Sequence, residues 1–287
     1  MSTFVNLSNG FLQLFTVYGA LNLGFIYLYR TTGVMNFAQG QVFVFAGLTL
    51  YWFVNAWGLA VGLVATAGVL AVVGYFVFMA ILRTLRGGSP LIQVLGTFML
   101  GVGLMQVSGA LYGPAIREFS LPRGRSFDIA GGQIVSGSLI YGGSVILIAV
   151  LLDLLINRTV FGARMRAAAE DGELADYVGV KRNRLWAVSW VVVFVTSGAA
   201  AFVYAGRAPL ALSISSVGFS AFPAAIIGGM DSLRGMVVGA ALVALIQTAA
   251  AYYLNGIIAD MLTYVLMLGV LLVRPTGILG RRSVSRI

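Results

Sequence analysis

Eight apolar runs, each close to the length of a bilayer crossing, dictate what this chain can become. They cover 11–29, 42–57, 60–82, 91–112, 138–157, 187–205, 235–253 and 258–273. About 20 consecutive apolar residues span the hydrocarbon core as a helix. A shorter apolar piece occupies 217–230. Only 9% of residues are charged, where a soluble domain carries roughly 25%. The expected fold class is therefore an all-α polytopic membrane protein. It would have about eight transmembrane helices plus a re-entrant or broken helix, in one domain over 1–287.

Composition excludes several activities. The chain has no cysteine and no histidine, which removes disulfides, the commonest zinc ligands and Ser-His or Cys-His nucleophile pairs. Lys181 is the only lysine and follows Val180, so a Gly-Lys-Ser/Thr phosphate loop cannot be built. If ATP drives this protein, another chain binds it. No catalytic set, metal site or cofactor is expected on this chain. Met1 to Gly10 carries no basic residue, so the start reads as mature rather than as a signal peptide.

The charge is unevenly placed. Ten charged residues lie between Arg158 and Arg184, out of 18 basic and 9 acidic in the chain. With this island in the cytoplasm, 14 basic residues fall inside and 4 (Arg117, Arg123, Arg125 and Arg207) outside, as the positive-inside rule requires. The N-terminus is then outside and the C-terminus inside. The net charge of +9 follows from this rule and needs no nucleic acid. The longest outside loop, 113–136, is a connector or a docking surface for an external protein.

Two segments interrupt the apolar pattern. Thr31 to Gln41 is polar and contains Gly33 and Gly40; Ser213 to Pro223 precedes Ala224–Met230 and the turn Asp231–Arg234. Unwound backbone at membrane depth survives where protein buries it or where it lines a cavity. Interrupted segments at corresponding places in two halves point to a transporter's binding site. Asn36, Gln39 and Gln41 can bond a polar ligand or cap backbone groups, and Phe37, Phe219 and Phe222 can form an apolar wall. Two ordinary interhelical turns would leave the same pattern. Most of the 37 glycines read as packing devices that let helices approach in lipid.

Within the island, Arg164 to Val178 reads as one short helix. Met165, Ala168, Ala169, Gly172, Ala175 and Val178 form a small stripe at helical spacing, with Arg166, Glu170 and Glu173 on another face. Gly179 is placed to end the helix in the left-handed conformation. The stripe suits close approach to a partner, although a solvated connecting helix fits too.

Four segments resemble the permeases of branched-chain amino acid ABC transporters. They are Arg166–Arg184, Gly33–Gly40 (Gly-Val-Met-Asn-Phe-Ala-Gln-Gly), Ala224–Gly235 and the ending Arg274–Gly280. They appear in the family's order, and the length is that of its shorter permease subunit. The resemblance implies an importer in the bacterial inner membrane. It pairs this chain with a second, related permease, two cytoplasmic ATPases that use ATP and Mg, and a periplasmic binding protein. The loop 158–186 would couple to the ATPases through Arg166, Glu170, Asp171, Ala175, Gly179 and Arg184. Asn36, Phe37, Gln39, Gly40, Gln41, Phe219, Phe222, Gly228 and Gly229 would form the pathway or gate.

The sequence departs from the family's pattern at three positions. Gln39 and Gln41 stand where the family has His and Glu, and Asp231 replaces a glycine. Urea, amides or small carboxylates therefore stay open as substrates beside branched-chain amino acids. An ion-coupled secondary transporter usually needs an acid or proton relay within the membrane, and Asp153 and Asp260 sit near span ends. A membrane enzyme lacks the necessary residues.

Overall fold

The computed structural model describes residues 2–85, 87–118, 126–129, 132–135, 143, 147, 150, 154, 158–170, 172–206 and 208–280. Helices α1 (Ser2–Thr32), α2 (Gln39–Trp57), α3 (Leu59–Ala80) and α4 (Pro90–Tyr112) form the first half. Helices α5 (Val160–Glu170) and α6 (Gly172–Tyr177) make up the charged island. Helices α7 (Arg182–Ala205), α8 (Ser215–Gly228), α9 (Leu233–Tyr253) and α10 (Gly256–Val273) complete the bundle. An antiparallel hairpin, β1 (Ser126–Ile129) with β2 (Gly132–Val135), lies in the long loop after α4.

Among the described residues, six helices are long and apolar enough to cross a membrane: α1, α3, α4, α7, α9 and α10. Helix α2 corresponds to the run 42–57, but its polar start at Gln39 and Gln41 lowers its hydropathy. The expected span 138–157 lies largely outside the described residues.

Local chemistry sets the helix ends. Ser89 accepts from Ile92 N ahead of Pro90, Ser232 accepts from Gly235 N at 3.0 Å, and Asn255 accepts from Ile258 N at 2.8 Å. Each occupies one amide that would otherwise lack a partner. Inside the spans, Thr31, Thr49, Thr66, Ser108, Ser189, Ser197 and Thr263 all donate to the carbonyl four residues back. That bond keeps hydroxyls satisfied where no water is available.

Contacts fix the helix directions. Gly24 meets Thr196 while Tyr27 meets Leu185, and Leu70 meets Gly198 while Phe78 meets Trp186, so α1 and α3 both run antiparallel to α7. Gly101 meets Ala38 and Gln41 while Tyr112 meets Thr49, so α4 runs parallel to α2. Gly40 meets Ser215 and Gly218, and Gly47 meets Ile214, so α8 runs antiparallel to α2. Gly228 meets Gly235 and Ala224 meets Gly239, so α9 turns back along α8. Residues 217–228 therefore form one continuous stretch of α8 that does not fold back on itself. The alternation matches the order derived from charge.

Burial ranks the helices. Two thirds of the α1 window (67%) is buried inside the chain, against 11% for α10. The core is shared by α1, α2, α7, α8 and α9, with Phe43, Phe194, Tyr18 and Leu48 all but inaccessible. Helices α3, α4 and α10 present their apolar outer faces to the surroundings.

Candidate functional site

The chain breaks at the end of α1. Gly33 takes a positive φ of 72°, which reverses the backbone, and Val34 N donates to Thr32 Oγ1 at 3.1 Å. Residues 34–38 then return toward the bundle centre, because Ala38 lies against Gly101 in the middle of α4. Helix α2 thus begins at depth. Thr97 of α4 holds the extended segment, accepting from Phe37 N at 3.1 Å and lying 3.3 Å from Met35 O.

Asn36 and Gln39 build the turn itself. Asn36 Oδ1 accepts from Ala38 N at 3.0 Å, and Asn36 Nδ2 donates to Gln39 Oε1 at 3.1 Å. Gln39 Nε2 donates to Ser197 Oγ at 3.1 Å and reaches Leu21 O at 3.5 Å. Both side chains are buried. Their first task is to satisfy backbone and hydroxyl groups that would otherwise be orphaned at membrane depth.

The second interrupted segment is organised differently from the expectation. Ser213 to Pro223 is not unwound. A short 3₁₀ turn, Leu212–Ile214, leads into α8, which runs unbroken through Pro223 to Gly228. Proline removes one amide donor, but dense packing keeps the helix intact.

The two segments meet. Phe37 and Phe25 both pack against Phe222 as tilted ring pairs, at 5.2 and 5.4 Å between centroids. Beside them α2 and α8 cross at Gly40 and Gly218, where a Cβ on Gly218 would fall into the Gly40 backbone. A cavity of about 260 Å³ lies at this junction, lined by Phe25, Asn36, Phe37, Gln39, Gly218, Phe219, Phe222 and Tyr264. One water needs roughly 10–15 Å³, so the space suits a larger solute. Its walls carry four phenylalanines, two amides and a phenol, with no acidic or basic side chain. A smaller void of about 20 Å³ lies toward the island, beside Thr32, Gln93 and Trp186.

Of the expected pathway residues, Asn36, Phe37, Gln39, Phe219 and Phe222 gather at the cavity, with Gly40 at the crossing beside it. Gln41 does not reach it. One turn position further, its side chain packs on Gly101 of α4, and its Oε1 has no hydrogen-bond donor among the described residues. Gly228 and Gly229 lie at the far end of α8. Gly228 abuts Gly235, and Gly229, at φ 103°, abuts Gly280. Ile278 N donates to Ile227 O at 2.8 Å and Leu279 N to Gly228 O at 3.1 Å. The segment after α10 thereby caps α8. Phe25 and Tyr264 were not identified from sequence, since each sits inside an apolar run with no local signal.

The island is also rearranged. The expected single helix is two, α5 and α6, and Asp171 between them lies outside the described residues. The stripe is split: Met165 is buried with Tyr27 of α1 and Leu185 of α7, and Ala175 is buried as well, while Val178 is exposed. Leu174 and Tyr177 are exposed beside Val178. Gly179 ends α6 at φ 84°, with Val180 N on Ala175 O and Gly179 N on Asp176 O, the helix stop expected from sequence. Arg182 pairs with Asp176 at 2.8 Å and ties α6 to α7. Arg166 and Arg184 are exposed. Glu170 closes α5.

The profile of the family described as "Branched-chain amino acid transport system / permease component" matches residues 7–271. The chain belongs to this family. The permease is 26% identical to the high-affinity branched-chain amino acid transport system permease protein BraD of Pseudomonas aeruginosa, covering 95% of this chain and 94% of that one. It is equally similar, at 26% and the same coverages, to LivH of Escherichia coli K12. The probable LivH of Methanocaldococcus jannaschii is 26% identical, over 91% and 87%. Among solved structures, PsaBC from Streptococcus pneumoniae in complex with Fab aligns with 94% of the permease and 92% of that chain, at 16% identity and a TM-score of 0.49.

Proposed function

We propose that this permease is the membrane subunit of an ATP-driven importer in the bacterial inner membrane, moving branched-chain amino acids. The cavity between α1, α2, α8 and α10 carries the reading. It joins the break after α1 to the continuous helix α8, its phenylalanine walls suit a branched aliphatic side chain, and its amides suit polar main-chain groups. Asn36, Phe37, Gln39, Phe219 and Phe222 contact the solute, and Gly40 holds the crossing close. Gly228 and Gly229 set the inner end of α8.

Energy reaches this chain from separate ATPase subunits that bind ATP and Mg, consistent with the absence of a phosphate loop. They dock on α5–α6, where Leu174, Tyr177 and Val178 form the apolar contact and Arg166, Glu170, Asp171 and Arg184 set its register. Ala175 and Gly179 shape the helix behind that contact. A second, related permease and a periplasmic binding protein complete the complex. The names of the relatives support the amino-acid substrate.

The test is purification with the co-encoded neighbours, reconstitution in proteoliposomes, and measurement of leucine uptake with ATP hydrolysis. Uptake that depends on ATP and on the binding protein is expected. Absence of ATPase subunits from the purified complex, or uptake driven by an ion gradient alone, would refute the proposal.

A further inference from the structure

Asp260 is the one acidic side chain among the described residues of the spanning helices. It lies one turn inside α10, at the end of the bundle opposite the island. Gln247 Nε2 of α9 donates to its Oδ1 at 3.0 Å, and Tyr18 of α1 donates its hydroxyl to Gln247 Oε1. Tyr18 and Gln247 are buried, whereas Asp260 is exposed.

The order of donors in this chain is fixed by chemistry. A carboxylate only accepts, so the Gln247 amide must turn its NH₂ to Asp260 and its oxygen to Tyr18. The relay therefore holds a carboxylate in one position and supplies it with a single donor. Asp260 has no salt-bridge partner among the described residues. A carboxylate on a spanning helix is usually matched by a partner or a water-filled path.

Tyr264, one turn further along the same face, is a wall of the cavity. Residues four apart on a helix stand one above the other. The carboxylate is thus placed one turn outward, along the Tyr264 face of α10, from a space walled by Phe25, Phe37, Phe219 and Phe222. A solute with an apolar side chain and a positive head fits both parts.

We infer that Asp260 receives the α-ammonium group of the transported amino acid one turn outward of the cavity wall at Tyr264, and so selects ammonium-bearing solutes over neutral amides and simple carboxylates. This rests on the function proposed above and adds a specificity residue to it.

The chain contains no cysteine, which permits a test by charge. In the reconstituted complex with thiol-free partners, Asp260→Cys should lower leucine uptake by about ten-fold or more, the worth of one charge-assisted hydrogen bond. An anionic sulfonatoethyl thiosulfonate reagent should then restore uptake, and a cationic trimethylammonioethyl reagent should not. Asp260→Asn should show the same loss with the ATPase subunits still co-purifying. Uptake near wild type in either variant, or equal effects of the two reagents, would overturn the assignment. Failure of both variants to assemble would assign Asp260 to packing and overturn it equally. A wild-type complex that imports no leucine refutes the proposed function. A competent wild type with charge-insensitive variants removes only the role of Asp260.

Discussion

Tyr27 of α1 and Met165 of α5 share one buried cluster, completed by Leu185 of α7. Tyr27 lies two residues beyond Phe25, a wall of the cavity. A displacement of α5 would therefore press on α1, which carries Phe25 and leads into the return segment at Asn36. Packed side chains of this kind shift between discrete arrangements rather than deforming smoothly.

Met165→Ala tests that contact. Deleting a buried methionine side chain costs about 2–5 kcal/mol where the gap cannot close. The expected outcome is ATP hydrolysis near normal with several-fold less solute moved per ATP. The ratio of uptake to phosphate release in proteoliposomes measures it.

Tyr27→Phe should act in the opposite direction on stability. The Tyr27 hydroxyl is buried without a hydrogen-bond partner among the described residues. Removing such a group saves about 1–3 kcal/mol of desolvation. The melting temperature of the detergent-solubilised permease should rise, and a fall would show that the hydroxyl is satisfied.

The overall architecture was legible because apolar run length and charge asymmetry are direct records of the bilayer. The meeting of Asn36, Phe37 and Gln39 with Phe219 and Phe222 was legible as two polar, glycine-marked interruptions. What was hidden depends on three-dimensional packing. Pro223 looked like a break, yet α8 continues through it. Met165 and Ala175 looked like an outward stripe, but small residues at helical spacing fit an inward face equally well, and only Tyr27 and Leu185 decide the direction. Gln41 sits two residues from Gln39 and so points elsewhere on α2. Phe25 and Tyr264 are ordinary members of apolar runs.

Gln39→Leu should destabilise the permease as well as weaken its hold on the solute. It leaves the buried Asn36 Nδ2 without the acceptor at Gln39 Oε1 and takes a donor from Ser197 Oγ, at about 1–3 kcal/mol for a buried polar group left unpaired. Phe222→Ala, in contrast, should widen the cavity and shift preference toward bulkier aliphatic amino acids. Thermal melts and competition uptake separate the two effects; an unchanged preference in Phe222→Ala would place selection elsewhere.

Gly218→Val should reduce uptake below a tenth of wild type while assembly persists. The added side chain would drive α8 away from the Gly40 backbone, and overpacking of this kind costs about 1–3 kcal/mol. A milder loss in Gly218→Ala would follow the same order. Equal activity of both would show that α2 and α8 part readily.

Tyr177→Ala should release the ATPase subunits without lowering the melting temperature, since Tyr177 is 88% exposed. Exposed aromatics at the centre of an interface commonly contribute about 2 kcal/mol or more. Retention of the ATPases on a purification column would place their contact elsewhere on the island.

The bonds from Ile278 and Leu279 to the carbonyls of Ile227 and Gly228 also set an order of biosynthesis. Those donors are made about fifty residues after the acceptors, roughly 3–10 s later at ordinary rates of translation. Until then the inner end of α8 keeps two open carbonyls, which lipid cannot satisfy. The helix that walls the cavity stays unfinished until α9 and α10 are in place. A ribosome stalled between Gly256 and Arg274 would leave a chain whose α8 is not yet anchored, and a passage through the membrane could not close early around a half-made protein.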